Sequence, residues 1–107
     1  MKLDDYQDAA AKYMLKQCNN LEYLILGLCE EAGEVAGKRK RMIRGDKELD
    51  NGKGLESLIE ECGDCLWNLS QIAKIIHVPM SEIAQRNLDK LQSRLDRDRI
   101  KGTGDKR

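Results

Sequence analysis

The 107-residue chain has no phenylalanine, one proline and one histidine, and 19 basic side chains cancel 19 acidic ones. Each shortage narrows the possibilities. Balanced charge gives no general attraction to nucleic acid or an anionic membrane, so neither is an expected partner, although the run "KRKRMIR" is locally basic. No stretch approaches the run of about 18 apolar residues that a membrane span needs, and the start "MKLDDYQDAA" lacks the apolar segment of a secretory leader. The four cysteines, Cys18, Cys29, Cys62 and Cys65, are therefore expected to be reduced thiols in a cytoplasmic protein. His77 has no second histidine or cysteine at ligand spacing and reads as a helix cap. No Glu-x-x-His pair exists from which to build a di-iron bundle.

Leu, Lys, Glu, Arg and Ala are abundant, which points to an all-α fold in a single domain spanning 1–107. A domain of this size buries roughly 65% of its unfolded surface, enough for a core without disulfides. Periodicity predicts four helices: Leu3 to Gln17, Leu21 to Ile43, Leu55 to His77, and a fourth that begins around Pro79 and reaches about Asp98. Proline is tolerated in a first helical turn. The segment "RGDKELDNGKG" reads as a polar loop, and residues 99–107 as a loose tail.

At about 100° per residue, Leu21, Leu24, Ile25, Leu28, Ala32 and Val35 form one apolar face of the second helix, and Leu26, Cys29, Gly33 and Gly37 form another. Leu58, Ile59, Cys62, Cys65, Leu66, Leu69, Ile72, Ala73 and Ile76 form the core stripe of the third helix. Glu61, Asp64 and Asn68 flank that stripe, and Trp67 falls opposite it. Cys62-x-x-Cys65 thus reads as small core hydrophobes mid-helix and not as a zinc or redox pair.

Acids lie beside both apolar stripes. Glu31 and Glu34 are three residues apart, as are Glu61 and Asp64, so each pair projects from one face of its helix. No Lys or Arg interrupts Glu30 to Glu34 or Glu60 to Asp64, whereas a solvated helix face normally mixes signs. Packed antiparallel, the two helices would bring four carboxylates to a common point. An oxygen-only site of that kind suits Mg²⁺, with Mn²⁺ as a substitute.

"EEAGE" followed, after residues 35–60, by "ECGD" resembles the EExxE and ExxD pattern of MazG-like all-α nucleoside triphosphate pyrophosphohydrolases, relatives of dimeric dUTPases and dCTP pyrophosphatases. "YQDAA", "SEIAQRNLDKLQSR" and the end "GTGDKR" extend the resemblance over most of the chain. It implies an oligomeric four-helix bundle that hydrolyses a nucleoside triphosphate, a dNTP or a non-canonical one, to the monophosphate and pyrophosphate. By the same resemblance Glu31, Glu34, Glu61 and Asp64 would hold the metal. Glu30 would be the catalytic neighbour that orients water or completes a second metal. Asn87, Lys90 and Arg94 would meet phosphates, and Gln7 the base. Lys38 reads either as a phosphate contact or as a complement to its helix C-terminus. Trp67 reads as an oligomer contact or a base stacker. The small-residue face of the second helix would leave an apolar patch, which with the resemblance argues for a homodimer or homotetramer. The alternative is a non-catalytic helical oligomer that binds nucleotide or a divalent metal in a regulatory role.

Overall fold

A computed structural model describes all residues, 1–107. It contains four α-helices and no strand: α1 (Leu3–Ala10), α2 (Leu21–Arg44), α3 (Lys53–Ile75) and α4 (Met80–Asp96). None is long and apolar enough to cross a membrane.

Local chemistry sets most helix ends. Asn20 caps α2 by accepting the Tyr23 N–H at 2.8 Å. Gly45 closes it in the left-handed region, φ 86°, where its N–H reaches the Arg41 and Met42 carbonyls. Pro79 is the extended N-cap of α4 and offers no side-chain acceptor, so α1 supplies the cap from outside. Asp4 accepts from Ser81 N at 2.9 Å and Ser81 Oγ at 2.7 Å. These two bonds hold the Asp4 carboxyl below the usual carboxylate range. The C-cap of α3 is Ile76, and His77 follows it with a positive φ of 60°.

The first helix is shorter than its composition predicts. It stops at Ala10 and gives way to 3₁₀ turns at Ala11–Tyr13 and Lys16–Cys18. The Ala10 carbonyl, which continued α-helix would offer to Met14, accepts the Trp67 indole N–H at 3.1 Å, and Met14 N turns to the Ala11 carbonyl instead. Trp67 is therefore half-buried beneath α1 rather than displayed on a bare back face.

The centre of the fold is the antiparallel pair α2 and α3. Met42 near the end of α2 lies against Gly54 at the start of α3, while Gly27 near the start of α2 lies against Asn68. Both glycines allow a close approach: a Cβ at Gly54 would fall 2.8 Å from the Met42 thioether, and one at Gly27 would overlap the Asn68 amide oxygen. Leu24 and Ala73 are fully buried, as expected. Much of the anticipated core is not. Leu21, Ile25, Ala32, Ile59, Cys62, Leu69 and Ile76 are exposed on the single chain. The radius of gyration, 16.7 Å, exceeds the roughly 13 Å of a compact domain of this length.

Residues 99–107 fold back on α4 as a hook, with Arg94 donating to the Asp105 carbonyl at 2.6 Å and Arg107 to the Gly104 carbonyl at 2.6 Å.

Candidate metal and nucleotide site

Successive turns of α2 present Leu24, Leu28, Glu31, Val35 and Lys38 toward α3, all buried or half-buried. Glu31 is the acid on this line, and it meets Glu61 and Asp64 of α3. One carboxylate oxygen from each of the three lies within 4.8 Å of the others. The Glu31 carboxyl is pushed up, first by partial burial and then by the charges of Asp64, Glu61, Glu30 and Glu34. A cluster so rich in negative charge has one nearby cation: Lys38 Nζ stands 3.8 Å from Glu61 Oε1, with both side chains mostly buried. Lys38 thus faces the acids and does not merely complement its helix end.

Beside the cluster lies a concavity of about 340 Å³ lined by Tyr23, Leu26, Gly27, Glu30, Glu31, Asp64, Trp67 and Asn68. Two aromatic rings and a leucine give it an apolar wall, and the acids form its floor. Asn68 donates through Nδ2 to the Asp64 carbonyl at 2.9 Å. Tyr6, on α1, is half-buried, and its phenol is pushed up by burial and then by the Asp64 charge. Tyr23 and Leu26 had no signal beyond an apolar or aromatic identity on an early turn of α2.

The expected site residues divide into four groups. Glu31, Glu61 and Asp64 converge, and Glu30 lines the same concavity. Glu34 is exposed and outside the triplet, although close enough for its charge to be felt at Glu31. Asn87 and Lys90 line a different concavity, of about 300 Å³, with Ile83 and Arg86 on α4.

Gln7 and Arg94 are engaged in the fold itself. Gln7 is 6% exposed and pins three elements together. Its Nε2 donates to the Ser70 and Val78 carbonyls at 3.3 and 3.0 Å, and its Oε1 accepts from Met80 N at 3.1 Å. Its side-chain hydrogen bonds are spent within the fold and not held free for the base expected of this residue. Arg94 is 4% exposed and lies beneath the tail, so it is not an open phosphate contact. All four thiols are free, and the cation-competent triplet contains none of them.

These features define an all-α protein whose central helical hairpin carries an oxygen-only acidic centre beside an aromatic concavity. Residues 19–97, which hold α2, α3 and α4 and the whole acidic cluster, match the MazG nucleotide pyrophosphohydrolase domain. The chain belongs to that family. It is also similar to the Gene 37 protein of Mycobacterium phage L5, with 39% identity over 114 aligned positions covering 100% of both chains. No solved structure matches it.

Proposed function

We propose that the protein hydrolyses a nucleoside triphosphate, a dNTP or a non-canonical one, to the monophosphate and pyrophosphate, using Mg²⁺ or in its place Mn²⁺. The observation that carries this reading is the meeting of Glu31, Glu61 and Asp64 within 4.8 Å, in a chain of this family. The donor set fits a hard divalent cation: oxygens only, an excess of negative charge, and a Glu31 carboxyl that is uncomfortable when charged without one. Glu31, Glu61 and Asp64 would hold it, with Glu34 at the edge. When bound it supplies neutralisation of charge on the phosphate oxygens.

The chain's own groups do the rest. Glu30 lines the concavity and is the carboxylate we assign to take the proton of the attacking water. As the water oxygen bonds to one phosphorus of the α–β anhydride, that phosphorus's bond to the bridging oxygen breaks and its electron pair leaves with the departing group, giving monophosphate and pyrophosphate. Trp67 and Tyr23 offer the base a stacking wall in place of Gln7. Asn87 and Lys90 are the phosphate contacts on α4.

Those contacts line a separate concavity, and the chain exposes apolar stripes at heptad spacing. Leu55, Ile59, Cys62, Leu66, Leu69 and Ile76 run along α3 with all but Leu66 exposed, and Leu88, Leu91 and Leu95 run along α4. A second copy of the chain fits both facts, giving a cytoplasmic homodimer or homotetramer in which a neighbour completes the site.

The test is incubation with a panel of canonical and damaged nucleoside triphosphates and Mg²⁺. Monophosphate and pyrophosphate in equal amounts are expected. Orthophosphate release would contradict the bond assignment, and no turnover across the panel would return the protein to a regulatory binding role. Light scattering at micromolar concentration should give a multiple of the 12.2 kDa chain mass.

A further inference from the structure

We propose that Asp105, in the C-terminal hook, is a positioning residue that fixes the ammonium of Lys90 for the phosphates of the substrate. The identity of that anion rests on the pyrophosphohydrolase reading, while the arrangement of the hook does not.

The hook is built around a buried cation. Arg94 Nη2 donates to the Asp105 carbonyl at 2.6 Å and the Gly104 carbonyl at 3.4 Å, and it lies 3.5 Å from Asp105 Oδ1. Its Nε is buried without an acceptor, and its side-chain hydrogen bonds all go to the tail. The two tail carbonyls take the hydrogen bonds of this covered guanidinium, and the mostly exposed Asp105 carboxylate adds only an opposite charge nearby. The turn that brings Asp105 back uses Gly102 and Gly104 at φ 134° and 83°. Arg107 fastens it by donating to the Gly104, Ile100 and Arg99 carbonyls, while Arg97 donates to the Arg107 carbonyl.

The consequence lies one turn back along α4. The same Asp105 Oδ1 stands 3.1 Å from Lys90 Nζ. Lysine is a point charge on a flexible stem, and a carboxylate fixed through its own backbone removes that freedom. Asp105 does not line the concavity that Lys90 forms with Ile83, Arg86 and Asn87. The carboxylate therefore grips the ammonium from outside and leaves the concavity open. The charge also works out: Arg94, Asp105 and Lys90 together carry +1, so the concavity stays attractive to a polyphosphate. An inhibitory plug would have to sit inside it.

Asp105→Asn removes the charge and keeps the backbone acceptors that clamp Arg94. It is expected to raise KM for the best triphosphate by roughly two- to fivefold, the scale of one exposed ion pair, with a much smaller effect on kcat. Asp105→Glu should recover most of the loss. In a Lys90→Ala background Asp105→Asn should add nothing, because it acts through Lys90. A KM that falls or stays unchanged in Asp105→Asn overturns the proposal, and so does an additive effect in the Lys90→Ala background. A second measurement needs no nucleotide. Acetic anhydride labelling of Lys90, read by peptide mass spectrometry, should be faster in Asp105→Asn than in wild type. Equal labelling would show that the carboxylate does not hold the ammonium, whatever the fate of the catalytic reading. Absence of pyrophosphate release by wild type, with faster labelling in the variant, would instead place the error in the proposed reaction and leave the hook standing.

Discussion

Replacing Glu31 by glutamine should make the metal-free protein melt higher than wild type. Substituting a polar side chain that packs between helices ordinarily does the reverse, so the sign is diagnostic. Glu31 faces two carboxylates at up to 4.8 Å, and its replacement leaves the Lys38–Glu61 pair intact. At that separation each like-charge pair repels by about 3.5 kcal/mol at an effective dielectric near 20, and by about 0.9 kcal/mol in bulk water. Asp64 is exposed and Lys38 offsets the charge of Glu61, so the lower figure governs both pairs. Two pairs, screened by salt, give roughly 1 to 2 kcal/mol. For a domain of this size that corresponds to a rise of at least about 4 °C in Tm. Mg²⁺ should invert the order. A cation that binds only the folded state at a hundred times its Kd stabilises by about 2.7 kcal/mol, and the variant, lacking one of three ligands, should lose most of that gain. Circular-dichroism melts with EDTA and with saturating Mg²⁺ read both effects. If Glu31→Gln melts lower than wild type in EDTA and wild type ignores Mg²⁺ even with a non-hydrolysable nucleotide present, the carboxylates do not act as one site.

Glu61→Gln should lower pyrophosphate release by orders of magnitude while the helical circular-dichroism spectrum is retained, since a carboxylate ligand is lost at constant shape; near wild-type turnover would remove Glu61 from the chemistry. The metal-free protein should also respond to pH through Glu31. Its carboxyl is raised in the folded state, so its contribution to stability is fully present below the ordinary glutamate value and is lost as pH rises through the raised one. A Tm in EDTA that falls with rising pH in wild type, and less so in Glu31→Gln, is the expected signature; parallel profiles would count against it. Gln7→Leu should cost about 3 kcal/mol, because Ser70 O, Val78 O and Met80 N lose a buried partner together, and urea denaturation would measure it. A loss below about 1 kcal/mol, typical of surface positions, would mean that the pin is replaceable.

The ends of α2 and the start of α4 were legible because their signals are local: an asparagine cap, a left-handed glycine and a proline. The end of α1 was not, because the group that takes the Ala10 carbonyl is Trp67, 57 residues further along the chain. Gln7 is ambiguous for the same reason. A glutamine on a short helix looks alike whether it meets a base or three backbone groups of distant elements, and only the tertiary arrangement decides. Within the acidic cluster, the three-residue spacing predicted two pairs, but the crossing of the helices selects among them. Glu34 lies about 60° round α2 from Glu31, while Val35 and Lys38 stay close to Glu31's line and face α3. The line of contact therefore passes through Glu31 and leaves Glu34 at its edge.

The apolar stripes pose a different problem. Hydrophobic periodicity records which residues are withdrawn from water in the working protein, and it does not say which chain withdraws them. Leu24 and Ala73 follow the pattern within one copy. Ile59, Leu69 and Ile76 lie on the same predicted stripe yet remain open, as do Leu88, Leu91 and Leu95 on α4. Isolated exposed leucines need no explanation, but two heptad-spaced rows on a chain wider than a compact domain do. The mismatch between pattern and single-chain burial thus locates the surface that a second copy would cover. It includes Cys62 of α3, the neighbour in sequence of Glu61. In the proposed assembly this stripe and the acidic centre share one helix, so changes that weaken self-association there should also disturb the geometry of Glu61 and Asp64.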